Sequence, residues 1–242
     1  MALRYKYKQP LILFLCAFVS LWFIGSSCKN HNHPDKKIFH YNESSGLASL
    51  DPAFAKNKQV MWSTHQLYNT LIEIDSNMQM QPSLATHWNI SEDNLVFTFI
   101  LRNDVFFTDD ACFTNGKGRK LTAHDVEYSF KRIIDKSTAS PGAWIFNNRV
   151  DSVNGFTAIN DTTFQLKLLR PYLPILEIIS MQYCSIVAKE AVEKYGINFR
   201  RHPVGTGPFR FITWEEGQAL IMKKNPTYFE KDSAGNRLPY LD

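Results

Sequence analysis

The sequence lacks the short motifs that most often mark an enzyme. Nowhere in its 242 residues is there a Gly-x-Ser-x-Gly elbow, a His-Glu-x-x-His pair or a Cys-x-x-Cys pair. The chemistry that each supports therefore has no foothold here. A surplus of charge is missing as well. The formal net charge is +4, but Arg4, Lys6 and Lys8 are unmatched by any acid before residue 28, so the chain beyond that point carries only +1. With no basic stripe interleaved with aromatics, nothing recommends nucleic acid or an anionic membrane surface as a partner.

Cysteine is scarce too, and its placement is informative. Of the four cysteines, Cys16 lies in an apolar run over residues 11–24 and Cys28 follows the small residues Gly25, Ser26 and Ser27. That run is too short to cross a bilayer comfortably. Behind three cations it has the layout of a signal peptide over residues 1–27. A cysteine directly after such a segment is placed as in a bacterial lipoprotein, where it becomes the lipidated first residue. Ordinary cleavage after Ser27 is the alternative, and either route exports the chain. Cys112 and Cys184 then remain; in an exported protein they could pair, or stay as two separate thiols.

Cys28 opens a polar, aperiodic stretch, CKNHNHPDKK over residues 28–37, read as a flexible tether. Its His31 and His33 have no fixed geometry with which to hold a metal. Order is expected over residues 38–242. KIFHYN reads as a short strand, ESSGLASLDPAFA as a loop, and QVMWSTHQLYNTLIEID carries helix-like spacing at Val60, Met61, Leu67, Leu71 and Ile72. Two strands show a period of two, one through Phe97, Phe99 and Leu101, the other through Phe164, Leu166 and Leu168. Between them LTAHDVEYSFKRIID predicts a helix opened by Thr122 and Asp125 as a capping box, with Val126, Phe130, Ile133 and Ile134 on one stripe. Pro174 opens a further helix, and Gly196 closes another after KEAVEKY. Mixed strands and helices give an α/β or α+β domain.

Candidate polar pairs have plain readings. His124 and Asp125 are neighbours in a first helical turn and do not face each other. Asp109 with Asp110 and Glu215 with Glu216 read as solvated loop acids. Trp62, Trp88, Trp144 and Trp214 read as packing residues rather than ligand platforms. The stretch HPVGTGPFRFITWEEGQALIMKKNP suggests a phosphate-cradling loop, but Pro208 has no N–H to offer and Arg210 stands where a third glycine is needed. Alternation after Phe209 predicts a strand, a turn at Glu216 and Gly217, and a returning strand from Ala219.

Three blocks in order, PSLATHWNISEDNLVFTFILRNDVFFTDD, LTAHDVEYSFKRII and HPVGTGPFRFITWEEGQALIMKKNPTYFE, resemble the extracellular solute-binding proteins of family 5, which serve ABC importers. The resemblance implies an α/β, periplasmic-binding-protein-like (type II) two-lobed fold, with the first lobe and its inserted subdomain present here. It implies a lipid-anchored periplasmic binder of peptides or another small solute such as nickel, which delivers its ligand to an ABC permease without cofactor or catalysis. A sensing receptor of the same family is the runner-up, and a periplasmic hydrolase the outside option. Family members run to about twice this length, so the resemblance also implies that a single lobe would bind peptide weakly. The family pattern places ligand-facing backbone at Ser44, Ser45, Gly46, Leu47 and Ala48.

Overall fold

The computed structural model describes residues 36–242. The expected signal peptide, the lipidation residue Cys28 and nearly all of the tether lie outside the described residues. Among the described residues no helix is long and apolar enough to cross a membrane.

The largest sheet is antiparallel, with strand order β3-β4-β6-β5. It is built from β3 (Ala85–Ile90), β4 (Val96–Leu101), β5 (Phe156–Asn160) and β6 (Thr163–Lys167). In β4 and β6 the period-two pattern becomes a buried face: Phe97, Phe99, Leu101, Phe164 and Leu166 point into the core while their neighbours do not. Phe99 lies directly opposite Phe164, with ring centroids 6.3 Å apart.

Across that face lies the helix expected from residue 123, Ala123–Ile134, here α2; α1 is Lys58–Leu67. Phe130 stands edge-on to Phe156 and Phe164, at 5.8 and 5.5 Å. At the N-terminus of α2 the Asp125 carboxylate accepts the Thr122 N–H at 2.8 Å and the Thr122 hydroxyl at 3.1 Å. Arg119 grips the same carboxylate through both terminal nitrogens, at 2.6 and 2.8 Å, and reaches Glu190 as well. Two short helices also start and stop as read: α3 (Ile175–Ile179) after Pro174, and α4 (Lys189–Tyr195) before Gly196, whose φ is +50°.

Two hairpins complete the fold. The first joins β1 (Ile72–Ile74) to β2 (Met80–Pro82), and the second joins β7 (Phe209–Glu215) to β8 (Ala219–Lys224). The glycines before β7 are explained by packing. Gly207 donates its N–H to the Leu67 carbonyl at 3.0 Å. A Cβ on Gly205 would lie 2.1 Å from that same oxygen, and one on Gly207 would lie 2.5 Å from the Leu67 carbonyl carbon. Between them the Thr206 hydroxyl donates to Asn69 at 3.0 Å. The segment is thus pressed against the C-terminal end of α1, where only glycine fits.

Three expectations are corrected. Residues 37–42 form no strand; Ile38, Phe39 and Tyr41 are exposed, because a strand needs a ladder partner and, among the described residues, only the Lys37 backbone is paired, with Asp242. The helical pattern does not continue through Ile72. Tyr68 turns extended, at φ −133° and ψ 162°, and Asn69 and Thr70, weak helix formers, lead into β1. The tryptophans divide: Trp214 is buried and Trp88 half-buried, but Trp62 and Trp144 lie largely in solvent.

Candidate functional site

Ser44, Ser45, Gly46, Leu47 and Ala48 form an open loop held at both ends. At its far end Ser49, Leu50 and Asp51 are buried. The Leu50 N–H donates to the Arg200 carbonyl at 2.9 Å, and the Arg200 guanidinium donates back to the Ala48 carbonyl at 3.2 Å. Arg200 is itself fixed by Glu216 at 3.0 Å and lies over the Trp214 ring. Asp51 accepts the Ala53 N–H, capping the short helical turn Pro52–Phe54, and receives a bidentate Arg132 from α2. One end of the loop is therefore bolted to the core.

At the near end the Glu43 carboxylate accepts the Ser45 N–H at 3.1 Å and the Tyr41 hydroxyl at 3.4 Å. The Ser45 amide holds that carboxyl below the usual carboxylate range. Between these anchors Ser44, Ser45, Gly46 and Ala48 are exposed and Leu47 is half-buried against the core. Gly46 has open space where a Cβ would stand. Among the described residues, the backbone groups of Ser44, Gly46 and Leu47 pair with no other backbone group. Such unpaired donors and acceptors on an anchored, open segment can accept an extended ligand by main-chain hydrogen bonding.

Away from the loop, a concavity of about 340 Å³ is lined by Pro82, Ser83, Arg102, Asp104, Phe229, Glu230 and Lys231. Its charges are partly matched internally. Arg102 forks onto Asp104 at 3.0 and 2.9 Å and lies 4.7 Å over the Phe229 ring, and the guanidinium holds the Asp104 carboxyl low. Burial pushes Glu230 up, and the negative charge of Glu73 adds to that.

The other singled-out residues do not gather. His124 faces Asp161 at 3.8 Å, while Asp125 turns inward to Arg119. Asp109 is occupied by Lys117 and Gly118, Asp110 by Tyr195 and the Cys112 N–H, and Glu216 by Arg200 and Arg201. Cys112 and Cys184 are both free thiols. Burial pushes the Cys112 thiol up to about 12 and raises Cys184 also. Among the described residues, no group of three or more His, Cys, Asp or Glu side chains could hold a metal ion. The sequence reading missed the stacking of Tyr41 on Trp62 beside the loop, because nothing local brings together residues so far apart in sequence.

Comparison with known proteins bears on the family and the fold. The family profile described as bacterial extracellular solute-binding proteins, family 5 Middle, matches residues 79–242. The chain belongs to that family. Among curated family 5 relatives, the dipeptide-binding protein DppE of Bacillus subtilis is 26% identical over 213 residues, covering 82% of this chain and 37% of DppE. Among solved structures of the family, the periplasmic binding protein DppA of Helicobacter pylori in complex with the peptide STSA is 31% identical, with a TM-score of 0.66. That match covers 76% of this chain and 38% of DppA. NikZ of Campylobacter jejuni in complex with Ni(L-His) is 26% identical with a TM-score of 0.64, covering 78% of this chain and 35% of NikZ. The chain thus spans well under half the length of the relatives it matches, and carries part of an α/β, type II periplasmic-binding-protein fold.

Proposed function

We propose that this chain is the ligand-capturing part of a substrate-binding lipoprotein of an ABC importer. On this reading residues 1–27 direct export and Cys28 carries the lipid that holds the protein at the membrane. Residues 44–48 receive di- and oligopeptides in the periplasm for delivery to a permease. The observation that carries the reading is the anchored loop with unpaired backbone, in a chain of a solute-binding family whose curated relatives include a dipeptide-binding protein. An extended peptide offers the complementary row of N–H and C=O groups, which a compact solute does not. A metal–amino-acid chelate is the second ligand class, since NikZ in complex with Ni(L-His) shares the fold at 26% identity.

Calorimetric titration with a di- to pentapeptide pool, and separately with a nickel–histidine chelate, tests the ligand. Saturable heat with peptide is expected, and Gly46→Trp, placed where there is open space, should abolish it. Peptide heat that is absent at millimolar concentration, or unchanged in the Gly46→Trp protein, sinks the peptide reading. For the anchor, Cys28→Ser should move the protein from the membrane fraction to the soluble periplasm. A serine variant that is cleaved yet still membrane-bound would remove the lipid.

A further inference from the structure

Beside the loop two aromatic rings stand stacked in solvent. Tyr41 and Trp62 have centroids 5.4 Å apart and planes inclined by 15°, yet the two residues remain 52% and 53% exposed. Trp62 is fixed on α1, and Tyr41 is tied through its hydroxyl to Glu43, whose other carboxylate oxygen holds the Ser45 N–H. Hydrogen bonds thus join Tyr41 to Ser45 through Glu43, and stacking joins Tyr41 to Trp62. A pair of large rings ordered at the surface gives up conformational freedom without full burial, so its apolar faces are available to a further partner.

From this we infer that the Tyr41–Trp62 stack is a side-chain subsite that takes an aromatic residue of a peptide whose backbone lies along residues 44–48. The inference rests on the peptide reading above and deepens it into a sequence preference. A third ring on the stack gains an offset or edge contact worth about 0.5–1.5 kcal/mol beyond its area. That corresponds to roughly 2- to 10-fold in affinity.

The test measures dissociation constants for Ala-Phe-Ala and Ala-Ala-Ala by ligand-observed NMR, on the full chain and on Trp62→Ala. Fluorotryptophan labelling follows the Trp62 resonance directly. Ala-Phe-Ala should bind 2- to 10-fold tighter and shift the Trp62 resonance, and Trp62→Ala should erase the difference. Tyr41→Phe keeps the ring and should keep most of the preference, which separates stacking from the hydroxyl bond. Equal affinities with an unmoved Trp62 would overturn the subsite and leave the peptide reading standing. Failure of both peptides to bind would remove both. A Trp62 resonance that moves with protein concentration alone, together with a doubled sedimenting mass, would mean that a second copy covers the rings and would also overturn the subsite.

Discussion

Arg132 and Asp51 form a two-pronged ion pair, with Nη1 2.9 Å from Oδ1 and Nη2 2.6 Å from Oδ2. Their side chains are only 13% and 5% exposed, and they bind the last turn of α2 to the root of the loop. Removing one member of such a pair strands the other charge out of water, at a cost of about 3–5 kcal/mol. Arg132→Leu should accordingly lower the unfolding free energy in urea by that amount, and Arg132→Met with Asp51→Asn should recover most of the loss. A single variant with an unchanged midpoint would show the pair to be solvated.

The start of α2 separates two contributions that the sequence groups together. Thr122→Ala removes an N-cap hydroxyl and should cost about 1 kcal/mol. Asp125→Ala removes the acceptor for the Thr122 amide and for Arg119 together, bonds to a charged group worth roughly 1.5–3 kcal/mol each. It should be at least twice as damaging. Equal losses in chemical denaturation would mean that the hydroxyl carries the cap.

Gly205 and Gly207 face the carbonyl of Leu67, whereas Gly46 faces nothing. Overpacking of this kind costs on the order of 1–3 kcal/mol. Gly205→Ala and Gly207→Ala should each fall in or above that range, with Gly46→Ala within about 0.5 kcal/mol of the parent. Thermal unfolding of the three variants side by side decides it, and a tolerant Gly207 would refute the close-packing account.

Glu230 supplies a pH dependence of defined sign. Burial and Glu73 raise its pKa in the folded state, while the Tyr228 hydroxyl, Arg102 and His65 oppose them weakly. The folded state therefore binds this proton more tightly than the unfolded one. The associated stabilisation is complete below the ordinary value of 4.5 and is lost as pH rises through the raised value. Other carboxylates, among them Asp104 and Glu190, are lowered and act in the opposite sense, so the readout is a difference. From pH 4 to 7, the stability gap between the parent and Glu230→Gln should shift in favour of the glutamine variant. A gap constant with pH would place Glu230 in water.

Legibility followed how much of each element's reason is local. β4 and β6 were readable because each has one face in the core and so alternates. The edge strands β3 and β5 are mostly exposed on both faces and left no period to detect. The helix at residue 123 announced itself through Thr122 and Asp125, but Arg119 and Glu190, which complete its anchor, are 71 residues apart. The loop at residues 44–48 came from family resemblance alone. Its attachments, to Arg200 at 152 residues' separation and through Asp51 to Arg132 at 81, belong to tertiary structure. Trp62 was misjudged because a tryptophan's bulk usually signals a core, and its sequence context does not record that α1 turns it outward.

The four-stranded sheet also sets a clock. β4 and β6 are the inner strands, each laddered on both sides, whereas β7 and β8 have only one another. Inner amides can be reached by deuterium only when the whole sheet opens, while the outward amides of a lone two-stranded ribbon are released by local fraying. In heavy water the β7–β8 ribbon would therefore label first. The amides of Phe97, Phe99, Phe164 and Leu166 would keep their protons longest, marking the unit that unfolds as one.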